Sequence, residues 1–325
     1  MTLSLALRHL SFDASVSPRL FAVQLQIACI VVAFAKANAS VTLQPNARAN
    51  SSGGNAEPGA ALRRARVALN SDRPQDAERI ADEILKRDPR DGAALQVRGC
   101  ALLMQKRAAD AVAPLQAAAR SLRDAETDTL FAMALRQTGR TEEALSRLKR
   151  AAKRQPPYAP AFHELGYLLM SLESYDEAIE ALRRGLEIAP MMPQLSIQLG
   201  EVLLRRRSYG EAKGVFARAL EIAPNSAGAL FGLARAHQSL GEAAPAAAYY
   251  RRCLVLTPED SACWLNLGHC LLRLGEIEAG YDCFRSAVRG DPQRYGQALT
   301  SVAASGRGKF WLKPSAAARF FVNKR

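Results

Sequence analysis

Histidine, metal-ligand spacing, phosphate-cradling loops and long apolar runs are all scarce in this chain, and each shortage closes a class of function. Only four histidines occur in 325 residues (His9, His163, His237 and His269), and none stands in a recognisable arrangement with a serine or cysteine. Catalysis needs a nucleophile, base or metal held in a water-restricted cleft, and no such pair is offered. Six cysteines are present without a Cys-x-x-Cys pair. Cys263, Cys270 and Cys283, with His237 and His269, fall in neighbouring predicted helices but lack the close ligand pair that a zinc site uses. Gly306-x-Gly308 is too short for a phosphate loop, and no strand precedes it. The sequence therefore predicts no catalytic residue, no metal and no cofactor.

What is present is a period. Pro156, Pro190, Pro224, Pro258 and Pro292 follow one another at intervals of 34 residues. Proline lacks the amide donor and its ring strikes the preceding turn, so its regular return marks the end of one structural unit made repeatedly. The rest of each unit keeps register with its proline. An apolar residue (Phe131, Leu165, Leu199, Leu233, Leu267) is followed by a small one (Ala132, Gly166, Gly200, Ala234, Gly268). A second small residue recurs at Ala144, Ala178, Ala212, Ala246 and Gly280, and a third at Ala151, Gly185, Ala219, Cys253 and Ala287. Between them stands a large apolar residue: Leu148, Leu182, Phe216, Tyr250, Phe284. Turn signals such as Thr138-Gly139-Arg140 and Leu274-Gly275-Glu276 separate the two halves.

Spacings of three and four place these apolar residues on one face of a helix, and the small residues mark where two helices approach closely. A single pair of helices cannot cover its own apolar face, so stability must come from stacking. Weaker copies extend upstream: residues 58–91 end in Pro89, and residues 92–124 are one residue short, lack a closing proline and carry Arg98 at an apolar position.

The pattern Trp264-x-x-Leu267-Gly268, then Gly280-x-x-x-Phe284 and Pro292, closely resembles the tetratricopeptide repeat. The resemblance implies an all-α fold: an α-solenoid, wound as a right-handed superhelix, of about seven helix-turn-helix repeats with a C-terminal capping helix. The repeats run 58–91, 92–124, 125–158, 159–192, 193–226, 227–260 and 261–294. It also implies that the first helix of each pair lines a concave wall. The side chains expected there are Met133 and Arg136; His163, Tyr167 and Met170; Ile197, Glu201 and Arg205; Phe231, Arg235 and Gln238; Leu265, His269 and Arg273. Apolar anchors give affinity and arginine can hold a carboxylate in two-pronged fashion. The expected ligand is an extended or helical segment of another protein, with apolar anchors and acidic residues. Two specialisations of such repeats are not evident. The chaperone-tail clamp needs Lys and Asn where His163, Tyr167 and Gln198 stand, and the asparagine ladder of sugar-transferring relatives is reduced to Asn266.

Outside the repeats, residues 20–35 are apolar but broken by Gln24 and Gln26, too short and polar for a membrane span. Arg8 and Arg19 precede this stretch and Ala37-Asn38-Ala39 follows it, the order of a secretory signal peptide cut after Ala39. The long leader and Lys36 speak for an uncleaved amphipathic segment or a start placed too far upstream. Residues 40–57 read as a flexible linker. Residues 295–325 are expected to give a helix over Tyr295–Ala304 and a basic-aromatic tail with Phe310, Trp311, Phe320 and Phe321, opened by Ser315 as a second helix cap. Those aromatics either seal the last repeat or contact a nucleic acid or membrane surface; sealing is the favoured reading, because an open solenoid must cover its last apolar face.

The net charge of +13 is patchy: residues 92–158 carry +6, residues 159–192 carry −4, and residues 295–325 carry +6. One acidic repeat argues against phosphate tracking along the whole array, so nucleic acid is not the expected partner. Cysteines without a framework fit a reducing compartment while the leader fits export (periplasmic or secreted), and the two readings stand open. The leading expectation is a non-catalytic interaction scaffold. The rivals are an envelope-associated assembly factor and an RNA-binding helical-repeat protein, whose period is typically one residue longer.

Overall fold

The computed structural model describes residues 56–304 and Phe321. The leader, most of the linker, Phe310, Trp311, Ser315 and Phe320 lie outside the described residues. Among the described residues there are fifteen α-helices and no strand. They fall into two compact units, one ending at Gln155 and the other beginning at Pro156.

The first unit holds α1 (Ala56–Asn70), α2 (Pro74–Arg87), α3 (Gly92–Met104), α4 (Ala108–Ser121), α5 (Ala125–Gln137) and α6 (Thr141–Ala151). Each helix packs on the next, and the alternate helices α1, α3 and α5 also touch in turn. The second unit holds α7 (Ala159–Ser171), α8 (Tyr175–Ile188), α9 (Pro193–Arg205), α10 (Tyr209–Ile222), α11 (Ala227–Ser239), α12 (Ala243–Leu256), α13 (Ser261–Arg273), α14 (Ile277–Gly290) and α15 (Tyr295–Ala304). Here too each helix packs on its successor, with α7 against α9 and α9 against α11.

The period of the sequence is the period of the backbone. Pro190, Pro224, Pro258 and Pro292 each lie two residues past the end of the second helix of a pair. Pro156 departs from the rule, since α6 already ends at Ala151, and Pro114 stands inside α4. Within each pair the chain reverses through a single left-handed residue: Asp72, Lys106, Gly139, Glu173, Arg207, Gly241 and Gly275. These are 34 apart except for the 33-residue step from Lys106 to Gly139, where the shortened second repeat falls. The next residue donates its amide to the carbonyl five positions back, as Ser208 does to Leu203 (2.8 Å) and Glu276 to Leu271 (2.9 Å). That contact satisfies a carbonyl which the helix end would otherwise leave open. First helices begin on side-chain caps in several pairs: Asp91 accepts from Ala93 and Ala94, Asp124 from Thr127, and Asp260 from Ala262 and Cys263.

The recurring small residues sit where they were expected to. A β-carbon on Gly200 would lie 2.6 Å from the Phe216 ring, and one on Gly268 would lie 2.7 Å from Phe284. Phe216 also fills the space beside Gly232 of the following pair. A large residue of one second helix thus occupies the absence of side chain on the first helices beside it, which is how each pair is keyed to its neighbour. In the second unit the core continues through Leu230, Tyr250, Cys253, Cys263, Leu267 and Cys270. It ends in Leu265, Tyr281, Phe284, Ala298, Val302 and Phe321. Phe321 is buried and meets Tyr295 edge-on at 5.2 Å. α15 and this one tail aromatic close the last repeat.

Candidate functional site

Because α7, α9 and α11 touch side by side, their outward faces form a continuous wall in the second unit. Tyr167, Met170, Ile197, Glu201, Phe231, Arg235, Gln238 and His269 are partly exposed, and Arg205 and Arg273 are exposed. His163 and Leu265 are buried and do not belong to the exposed wall. Leu265 is covered in the closing cluster beneath α15. In the first unit Met133 is likewise buried, and Arg136 is partly exposed. Whether a register position faces solvent depends on what the next first helix covers, which the repeat pattern alone does not tell.

The polar members of the wall are organised. Glu201 takes Arg235 of the next pair at 2.7 Å and Arg205 of its own helix at 3.5 Å. Arg235 stacks over the Phe231 ring at 5.8 Å, and Phe231 meets Tyr250 edge-on at 5.7 Å. Tyr250 donates to Gln238 Oε1 at 2.6 Å, and burial holds its hydroxyl proton firmly in place. Arg273 donates to the Gly241 carbonyl at 3.3 Å. His269 lies 3.4 Å from Ser301 Oγ and edge-on to Phe284, and burial lowers its pKa below the usual histidine value. The wall therefore presents an aliphatic and aromatic strip (Met170, Ile197, Phe231) with cations beside it. Register reasoning missed the Glu201–Arg235 pair, although two residues 34 apart occupy the same place in successive repeats.

A different arrangement occupies the first unit. Gln96 Nε2 donates to Thr127 Oγ1 (2.9 Å), whose hydroxyl donates to Asp124 (2.8 Å). Asp128, with 0% side-chain exposure, is held by Arg150, by Arg154 Nε at 2.7 Å and by Arg147 at 3.6 Å. Burial pushes the Glu126 carboxyl up to about 7, against the pull of Arg66. An open cavity of about 690 Å³ between α1 and α2, lined by Arg63, Arg64, Val67, Arg73 and Ile80, lies apart from these groups.

Three of the buried thiols are held in the protonated form, while the hydrogen bond with Cys263 lowers the pKa of Cys253. Burial raises Cys100 to about 12, Cys270 to about 11 and Cys283 to about 12, so each stays protonated at neutral pH. Among the described residues no group of histidine, cysteine and carboxylate side chains is arranged to hold a metal ion.

Comparison with known proteins identifies the architecture. A tetratricopeptide repeat family model matches residues 62–126, 129–193 and 197–261. A second model, the middle TPR-like domain of cilia and flagella-associated protein 70, matches residues 230–310. No curated protein matches. Among solved structures, the Cut9–Hcn1 hetero-tetramer of the APC/C aligns with a TM-score of 0.62 at 17% identity, over 74% of this chain and 49% of that one. The present chain thus spans about half the length of that relative. Pseudomonas aeruginosa pilF aligns with a TM-score of 0.55 at 19% identity, over 62% of this chain and 92% of its own. A tetratricopeptide repeat protein from Parabacteroides merdae gives 0.54 at 16% identity, over 76% and 98%. At such identities the likeness is one of fold.

Proposed function

The chain belongs to the tetratricopeptide repeat family, and on that premise we propose that it is a non-catalytic scaffold holding a segment of a partner protein along the first-helix wall of its second unit. Proteins of this family generally bind other proteins. The observation that carries the finer reading is that Ile197 and Phe231 are partly exposed while Arg235 lies over Phe231 and shares Glu201 with Arg205; Arg273 stands further along, at the Gly241 carbonyl. Apolar side chains that stay half open supply contact area on binding, and adjacent guanidinium groups select a carboxylate over a neutral side chain. The partner is an extended or helical segment that alternates apolar anchors with acidic residues. The Cys100, Cys270 and Cys283 thiols, kept protonated by burial, support a role without catalysis.

Charge reversal tests this. The triple variant Arg205→Glu, Arg235→Glu and Arg273→Glu should weaken capture of an acidic-apolar peptide by about tenfold or more, because like charges then face each other across the contact. The measurement is fluorescence anisotropy with the full chain, with circular dichroism to confirm that the variant folds. Capture unchanged by the triple variant would overturn the proposed wall. Tighter binding of single-stranded RNA than of peptide, with a steep salt dependence, would favour the nucleic-acid reading.

A further inference from the structure

Glu201 is an unusual presence on a wall read as a receiver of acidic segments. Its carboxylate, 26% exposed, sits 2.7 Å from Arg235 on the neighbouring α11 and 3.5 Å from Arg205 one turn along α9. Those two guanidinium groups are 34% and 58% exposed. The guanidinium carbon of Arg235 lies over the Phe231 ring at 5.8 Å. The chain thus places a carboxylate of its own where an arriving carboxylate would find its strongest partners. Resting on the reading of the wall given above, we propose that Glu201 is an internal stand-in for the ligand. It occupies Arg205 and Arg235 while the wall is empty, and a partner's acidic side chain must displace it.

The chemistry of the partner follows. Two guanidinium groups and one carboxylate leave a surplus of one positive charge, which a single incoming acidic side chain neutralises. An isolated carboxylate gains little by exchanging with Glu201, since it replaces one charge-assisted pair by another of the same kind. An acidic side chain followed by an aliphatic or aromatic residue gains more, because its neighbour covers Ile197 or Phe231 as the exchange occurs. The wall therefore discriminates against small carboxylates and against purely acidic tracts, in favour of mixed acidic-apolar segments. Discrimination of this sort comes from a built-in competitor rather than from added attraction.

Removing the competitor while keeping its shape separates this role from simple bridging of α9 to α11. The probe is a fluorescein-labelled peptide of alternating Glu and Leu, titrated into the full chain carrying Glu201→Gln. Binding should tighten by about three- to tenfold, with a steeper dependence on salt as a second free guanidinium joins the contact. In the background of Arg205→Gln and Arg235→Gln together the same substitution should bring no gain, and a thermal melt confirms that each variant folds. A bridging role would instead leave affinity unchanged or lower. If the unaltered chain binds the peptide and Glu201→Gln does not tighten it, the stand-in is refuted while the wall survives. Binding by Glu201→Gln alone would support the stand-in in its strongest form. If neither form binds, both the wall and the stand-in fall.

Discussion

The fourth residue of the helical pair is Asp128 in the first unit and Trp264 in the second, and the two side chains settle into their places by opposite means. Trp264 packs between the two core clusters of its unit and donates its indole N–H to the Pro258 carbonyl at 2.7 Å. Asp128 is fully withdrawn from water, further than the partly buried Trp264, and depends on Arg147, Arg150 and Arg154 for its charge to be tolerated. The same contrast runs through the neighbourhoods. Around Asp128 the first unit buries Gln96, Thr127 and Thr129, whereas the second fills the space about Tyr250 with Cys253, Cys263 and Cys270. The repeat geometry therefore demands that each slot be filled and satisfied; it does not dictate with what chemistry. The cost is differently distributed, since a polar slot is sensitive to charge and an apolar one to volume.

The largest expected effect breaks the comparison at Asp128. Asp128→Asn leaves three guanidinium groups around a neutral amide and should destabilise the first unit by about 3–5 kcal/mol, the range for breaking a buried ion pair. Hydrogen exchange should rise in α5 and α6 with little change in α13 and α14, and uniform loss across both units would contradict this.

Proton binding sharpens the contrast further, because the two units should answer acid in opposite senses. Glu126 is raised to about 7 from 4.5 by burial, so between those pH values the folded chain binds more protons than the unfolded one. Its stabilisation is complete below pH 4.5 and is lost as pH rises through about 7, a change of about 3 kcal/mol at most. His269 is shifted downward from 6.5, so the unfolded chain binds the proton first and acidification below that value weakens the second unit. Denaturant titration of Glu126→Gln across this range should show the first trend removed. An unaltered pH slope would refute the assignment to Glu126.

The smallest effect concerns the turns. Lys106 in the first unit and Arg207 in the second hold the left-handed conformation, with φ of 62° and 66°, that Gly139, Gly241 and Gly275 adopt without a β-carbon clash. Lys106→Gly and Arg207→Gly should each stabilise by about 0.5–1 kcal/mol, since relief of strain exceeds the added chain entropy of glycine. Thermal unfolding would detect this, and a lowered midpoint for both would contradict it.

Much of the fold was legible in residue spacing. The prolines, the small-large-small succession and the turn glycines locate pairs and boundaries because each reports a steric requirement that local sequence alone satisfies. Pro114 shows the limit of that logic, for it remains within α4 where the sequence rule would stop a helix. Asp128 was not legible as a buried charge, since its partners come from α6 and beyond. The spacing of Arg147 and Arg150 does place them on one face of α6, whereas Arg154 comes from the segment after that helix ends. At the candidate wall, register identified which positions belong to the first helices, but the burial of Met133, His163 and Leu265 depends on tertiary cover.

A stack of like parts has no intrinsic size, and any exposed end invites one more layer, whether from the same polypeptide or another. Here α15 and Phe321 occupy that last vacancy with material that is not a further copy. At this end a further layer would first have to displace residues that the chain itself supplies.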